Sequence, residues 1–233
     1  MEKYFNHILF LDIETVPSAQ SYNALNERMK KLWDKKAEGL KRSETDTPES
    51  LYEKAGIFAE FGKIICISTG TINYDKANIR SFFGHDEKEL LTEFSNYLNS
   101  LTFSDVRLLC AHNGKEFDFP WICRRMMING IKIPEILNIQ GKKPWEIGHI
   151  DTMELWKFGD YKNFTSLDLL TELFNIPTPK DDICGADVAR IYYEENDLLR
   201  IMQYCQKDVI ALIQLFCRFN YMPLISDVNI VYQ

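Results

Sequence analysis

Two carboxylates, Asp12 and Glu14, lie inside the apolar run HILFLDIET at residues 7–15. The run is β-branched and aromatic and predicts a buried strand. Residues two apart on a strand face the same side, so the two acids share one face beside Phe10, Leu11 and Ile13. Adjacent carboxylates in an apolar setting repel, and burial drives one of them toward protonation unless a cation neutralises the pair. Hard divalent ions such as Mg²⁺ or Mn²⁺, which take carboxylate and water oxygens, are the simplest neutraliser. A single Asp-x-Glu at a strand end facing water is common, so the pair gains meaning only in combination with other acids.

The rest of the chain alternates strand and helix patterns. KIICISTGTI (63–72) and NIRSFF (78–83), joined through Asn73-Tyr74-Asp75, predict a hairpin. Leu90 to Leu101 has helical spacing, VRLLCAH (106–112) reads as a buried strand, and Phe119 to Asn129 reads as a helix stopped by Gly130. A short strand is expected at 148–153. A helix at 166–175 has a capping-box-like start at Thr165-x-x-Asp168, and a long final helix begins near Asp197. Its stripe runs through Leu198, Ile201, Met202, Cys205, Val209, Leu212, Ile213 and Phe216. With 45% hydrophobic residues among 233, the chain can bury a sizeable core, which excludes global disorder. The expected fold class is α/β, with a mixed sheet flanked by helices and one domain over 1–233, interrupted by a charged helical insertion at about 20–60.

That insertion has its own signature. Residues 22–42 carry Leu25, Met29, Leu32, Trp33, Ala37 and Leu40 at helical spacing. Between Arg28 and Arg42 there are seven basic residues against Asp34 and Glu38. The stretch is +5 in a chain of net charge −7, leaving −12 elsewhere. It reads equally well as a solvated helix or as a phosphate-contacting patch with Trp33 or Tyr22 stacking on a base. Lys142-Lys143 beside Trp145, and Arg124-Arg125, are smaller candidates. Thr47-Pro48-Glu49 reads as a further helix start.

The six cysteines form no Cys-x-x-Cys pair and mostly sit in apolar runs, and the four histidines lack ligand spacing. They read as reduced core thiols and scattered imidazoles, so any metal would be held by oxygen. No apolar run approaches the roughly 20 residues of a membrane span, and the start of the chain lacks the pattern of a secretory signal. A cytoplasmic protein with no membrane partner is the expectation.

Two more elements carry acids. Asp118, between Phe117 and Phe119 and before Pro120, reads locally as the N-cap of the helix that follows. At a helix start after a buried strand it also stands where α/β folds assemble ligand sites. Tyr204 and Asp208 are four apart, on one face of the final helix. Four carboxylates from three elements plus a phenol suit phosphodiester cleavage, with two metals about 3.5–4 Å apart clamping the attacking and leaving oxygens. With an ordinary pKa near 10, a tyrosine is suited to orienting water and not to deprotonating it.

FLDIET (10–15), HNGKEFDFP (112–120) and YCQKDV (204–209) together resemble, in order, the three motifs of the DEDDy 3'–5' exonucleases. The likeness is strongest to the proofreading exonuclease domain of family-B DNA polymerases and spans nearly the whole chain. It implies a ribonuclease H-like fold, a five-stranded sheet of three antiparallel and then two parallel strands. It implies two Mg²⁺ or Mn²⁺ ions, Asp12 bridging both, Glu14 and Asp208 completing the nucleophile-side ion, Asp118 acting on the second, and Tyr204 holding the attacking water. Gln203 stands where the histidine variant of the group would carry its histidine. Thr15, Asn113 and Phe117 match positions near the substrate's 3' end. The implied partners are single-stranded 3' ends, DNA favoured over RNA, with replication or repair proteins alongside. A catalytically silent binding module and an RNA 3'-end trimming enzyme are the alternatives. A polymerase domain does not fit in 233 residues.

Overall fold

The computed structural model describes residues 2–101, 106–160, 162–177 and 183–233. Strand β1 (Ile8–Pro17) is central. It pairs antiparallel with β2 (Gly62–Asn73), which turns through Tyr74-Asp75 into antiparallel β3 (Lys76–Phe83). On its other edge β1 pairs parallel with β4 (Leu108–Ala111), and β4 with β5 (Ile150–Asp151). A sixth strand, β6 (Ile230–Tyr232), adds parallel to β3, giving the order β5-β4-β1-β2-β3-β6. Among the described residues the expected five strands are therefore six. The three antiparallel and two parallel strands are as expected, and the extra one forms an edge.

Alternation along β1 divides the core. Leu9, Leu11 and Ile13 face α2 (Glu87–Ser100) and α3 (Asp118–Ile128), where Phe94, Phe119, Ile122 and Met126 complete one cluster. Ile8 and Phe10 face the opposite layer, the 22-residue helix α7 (Leu198–Phe219), through Val209, Ile213 and Phe216. Gly70 of β2 lets α7 lie close, since a Cβ there would come within 2.7 Å of Ile213 and 2.9 Å of Val209. The helix begins on Asp197, whose carboxylate accepts the Arg200 N–H. Among the described residues no helix is long and apolar enough to cross a membrane.

Residues 18–61 leave β1 and return to β2 as a separate layer. Asn26 caps α1 (Glu27–Glu38) by accepting the Met29 N–H, and a 3₁₀ helix follows at Ser50–Ile57. The latter starts near Thr47, whose hydroxyl accepts the Ser50 N–H, but as a 3₁₀ and not an α-helix. Trp33 is fully buried against Tyr52 and Phe61 and donates its indole N–H to Pro48 O at 2.7 Å. Tyr22 donates its hydroxyl to Asp34 at 2.8 Å. Trp33 therefore has no face left for a nucleobase, which corrects the stacking role proposed for it.

The shorter elements depart from the sequence expectation in detail. β5 has two residues and passes directly into α4 (Thr152–Lys157). The helix expected from Thr165 is α5 (Leu167–Leu173), capped by Ser166, because Thr165 is buried and gives its carbonyl to His112. A three-residue helix α6 (Val188–Arg190) runs into a π-helical turn, Ile191–Glu195, that packs on Val16 of β1 and Ile65 of β2.

Candidate active site

Beyond Phe10, the side of β1 that faces α7 turns from apolar to acidic, with Asp12 and then Glu14 following Ile8 and Phe10 at period two. On α7, Tyr204 and Cys205 stand just over a turn before the Val209–Phe216 contacts and Asp208 immediately before them. The same packing that seats α7 on the sheet thus brings these residues opposite the acids. Glu14 is 7% exposed, and Asp12 is partly open to solvent. Ligand atoms of Asp12, Glu14 and Cys205 lie within 4.8 Å of one another. Tyr204 is hydrogen-bonded to the Asp208 side chain.

Asp118 arrives from the opposite layer. The start of α3 has no side-chain cap, so Asp118 is not the N-cap read from the local sequence; Phe117 occupies that position. The carboxylate instead lies beside the Ile13 backbone, whose N–H, like its own, favours the charged form, which puts it against the strand between Asp12 and Glu14. It is 3% exposed.

The electrostatics follow from crowding four acids. Burial, then Asp208 and Asp118, hold the Asp12 carboxyl well above the usual carboxylate range, against a lowering hydrogen bond from Cys205. Burial, then Asp12 and Asp208, do the same to Glu14. Burial, opposed by its own backbone N–H, raises Asp118 to about 7, with Asp151 adding to the rise. Apart from burial, the influences raising Asp12 and Glu14 are all acids and thiols. Burial and then the Asp208 charge push the Tyr204 phenol far above its ordinary value, so it stays protonated.

Two contributors escaped the sequence reading. Cys205, read as a core residue of the α7 stripe, also places its Sγ 3.5 Å from an Asp12 carboxylate oxygen and 3.5 Å from the Asp12 carbonyl. Its thiol, raised by burial and by neighbouring Cys66, remains a donor that orients Asp12. The second is Asp151, 3% exposed. It accepts the N–H groups of Asn113 (2.9 Å) and Lys115 (3.1 Å) and caps α4 through Met153 and Glu154. One carboxylate therefore fixes the loop that delivers Asp118. Its signal was Asp151-x-x-Glu154, a helix-start pattern after a short strand.

The same loop is held elsewhere too. His112 donates Nε2–H to Thr165 O at 2.9 Å, its Nδ1 lies 2.9 Å from Thr152 Oγ1, and burial lowers its pKa. Gly114 tolerates no side chain, since a Cβ would meet that of Ala111 at 2.3 Å. Asn113 is left-handed at φ 63°. Phe117 is partly buried, its ring 6.2 Å from that of Trp121. Thr15 gives its hydroxyl to Gly56 O at 2.7 Å, which commits it to anchoring the 18–61 layer. The structure therefore brings Asp12, Glu14, Asp118, Tyr204 and Asp208 together and leaves Thr15, Asn113 and Phe117 around them with structural tasks visible.

A mixed sheet between two helical layers, with acids from β1, α3 and α7 converging on the central strand, gives a ribonuclease H-like fold with a polyacidic site. Residues 57–226 match the model of a family described as a predicted 3'-5' exonuclease related to the exonuclease domain of PolB, and the chain belongs to that family. The match leaves out β1 with Asp12 and Glu14, and also α1. Among solved structures the fold is similar to the family B DNA polymerase from the hyperthermophilic archaeon Pyrobaculum calidifontis, at TM-score 0.54 and 13% identity. That likeness covers 91% of this chain and 24% of the polymerase chain, so this chain spans about a quarter of its length.

Proposed function

We infer that the protein is a metal-dependent 3'–5' exonuclease acting on single-stranded nucleic acid. The observation that carries this reading is the convergence of Asp12, Glu14, Asp118 and Asp208 around a protonated Tyr204. The donor set fits hard divalent cations: burial and neighbouring acids raise the Asp12, Glu14 and Asp118 carboxyls, and the strongest influences on these three include no cation. Asp12, Glu14 and Asp208 would hold one Mg²⁺ or Mn²⁺, and Asp12 with Asp118 a second. When bound, such ions supply water activation and neutralise charge on the leaving oxygen.

The chain's own groups do the rest. Tyr204 donates its hydroxyl to Asp208, and its oxygen lone pairs remain to accept from a water and aim it at the terminal phosphodiester. Because the phenol stays protonated, it positions and does not deprotonate. Cys205 fixes the Asp12 rotamer, and Asp151 fixes the loop that carries Asp118. The relation of the family to a DNA polymerase exonuclease domain favours DNA as substrate. A strand labelled at its 5' end checks polarity. The expected product is a ladder shortened from the far end with nucleoside monophosphates released; shortening from the labelled end would reject the reading.

Tyr204→Phe removes one positioning hydrogen bond and should lower kcat about tenfold, roughly 1.4 kcal/mol, with KM little changed. Steady-state kinetics on a short oligonucleotide measure this, and a loss as large as that of an acid variant would reassign Tyr204 to an essential role.

The raised carboxyls also predict a pH dependence. Asp118 titrates near 3.8 when unfolded and near 7 when folded, so the folded state binds more protons between these values. Stability of the metal-free protein is full below about pH 4 for this group and is lost as pH rises toward 7. Cation binding must expel those protons, so Mn²⁺ should raise Tm more at pH 8 than at pH 6. Thermal denaturation at both pH values with and without Mn²⁺ checks it; an equal shift at both would contradict the raised carboxyls.

A further inference from the structure

The outer face of α1 packs on none of the described core clusters. Trp33 and Ala37 are buried on the inner face against the 3₁₀ helix. Arg28, Lys31 and Lys35, spaced i, i+3 and i+7, fall on the opposite side, and all three are exposed. The acids of the helix are engaged elsewhere: Glu27 with Lys30, Asp34 with Tyr22, and Glu38 with Lys41. Among the described residues the three stripe cations have no ion pair. They form an uncompensated positive ridge on a chain whose remainder is strongly negative.

The layer that carries the ridge is anchored to β1 right beside Glu14. Thr15, next to Glu14, is bonded to Gly56 of the 3₁₀ helix, and Ser18 N–H donates to Phe61 O at 2.8 Å. Trp33 packs on Phe61 at 5.1 Å between ring centroids, seating α1 on that layer. Two packed layers at about 8–10 Å each put the ridge on the order of 20 Å from Glu14. A polyanion whose 3' end enters a site lined with carboxylates needs a cationic hold farther back, and this ridge supplies one.

We propose that Arg28, Lys31 and Lys35 form a backbone-binding rail for the single strand, several nucleotides upstream of the scissile bond. This rests on the exonuclease reading for its direction, though not for its chemistry. The rail contacts phosphates: Trp33, Tyr52 and Phe61 are buried, and half-buried Tyr22 has its hydroxyl bound to Asp34 on the inner side of α1. A membrane surface fits less well: the apolar side of α1 is already used on Trp33's core, and Leu32 is the one apolar residue near the cations that is exposed.

The test is binding of a fluorescent 20-nucleotide single strand in EDTA, followed by anisotropy across salt concentrations. It compares wild type with Arg28→Gln/Lys31→Gln/Lys35→Gln, and with a control of equal charge change, Lys76→Gln/Lys88→Gln/Lys132→Gln, at exposed sites on other elements. Each phosphate contact contributes about 0.7 to the salt slope of single strands, so losing three should flatten it by about 2. The expected result is that flattening, with a tenfold or greater affinity loss at moderate salt, in the first variant alone. Equal slopes for all three proteins, equal losses in both variants, or no binding by wild type would overturn the rail, as would stripe-dependent binding to anionic vesicles without binding to the strand. Failure of the exonuclease reading shows separately, as wild-type protein that binds the strand in EDTA yet does not shorten it in Mn²⁺.

Discussion

Asp12→Asn should abolish metal-dependent hydrolysis while making the metal-free protein more stable. Asp12 stands at the centre of the acid cluster: Asp208 and Asp118 both raise its pKa, it raises that of Glu14, and Cys205 is bonded to it. An amide keeps a similar volume and carries neither the charge that neighbouring acids repel nor the need to take up a proton to escape it. Relief of that repulsion is expected to add about 1–2 kcal/mol, typical of a stabilising change at a strained site. For a chain of this size that is roughly 2–8 °C in Tm. The same change removes the ligand shared by both cation positions, and turnover should fall by about 10³-fold or more, roughly 4 kcal/mol of transition-state stabilisation. Thermal melts in EDTA beside turnover in Mn²⁺ measure both. A variant that is inactive but less stable would mean that Asp12 holds the fold together and does not strain it.

The second large effect lies away from the site. Arg125 meets Glu87 in a two-point contact, Nε to Oε1 at 2.8 Å and Nη2 to Oε2 at 2.6 Å. Both side chains are nearly buried, at 12% and 9% exposure. Glu87 also accepts the Ile64 N–H at 2.7 Å and the Asn129 amide, and Arg125 Nη1 reaches Ala59 O. The network joins α2, α3, β2 and the turn before β2. Arg125→Ala strands a buried carboxylate and a carbonyl, a loss of about 3–5 kcal/mol, or roughly 6–20 °C in Tm. Arg125→Lys should recover only part, since an ammonium cannot make the paired contact. Urea denaturation of the three proteins decides it, and a loss under 1 kcal/mol for Arg125→Ala would show that the pair is solvated.

Elements whose residues report their own burial were legible in the sequence. β1, the β2–β3 hairpin and α7 stand where period-two and period-3.6 patterns placed them. β6 was not legible, because a three-residue edge strand has too few residues for a pattern and exists only by pairing with β3. Of the site, Asp12 and Glu14 showed as acids on an apolar strand, and Tyr204 and Asp208 as polar residues beside an apolar stripe. Asp118 was legible as an acid but not in its placement, since it packs against Ile13, 105 positions away, and does not cap its own helix. Cys205 shows the limit of periodicity: a thiol at the boundary of a stripe satisfies the core pattern and the acid cluster together. Arg125 read with Arg124 as a small phosphate-contacting candidate, which its nearly buried pairing with Glu87 corrects; nothing near it in sequence points to Glu87.

The central claim, that these acids form one divalent-cation site that hydrolyses strand ends, is tested most directly by Mn²⁺ binding and strand shortening measured on the same preparations. Calorimetric titration of wild type at pH 8 should show Mn²⁺ binding with proton release, and the same protein should shorten a 5'-labelled single strand in Mn²⁺ and not in EDTA. Asp12→Asn should lose both. Mn²⁺ binding and strand shortening that survive unchanged in folded Asp12→Asn would contradict the account.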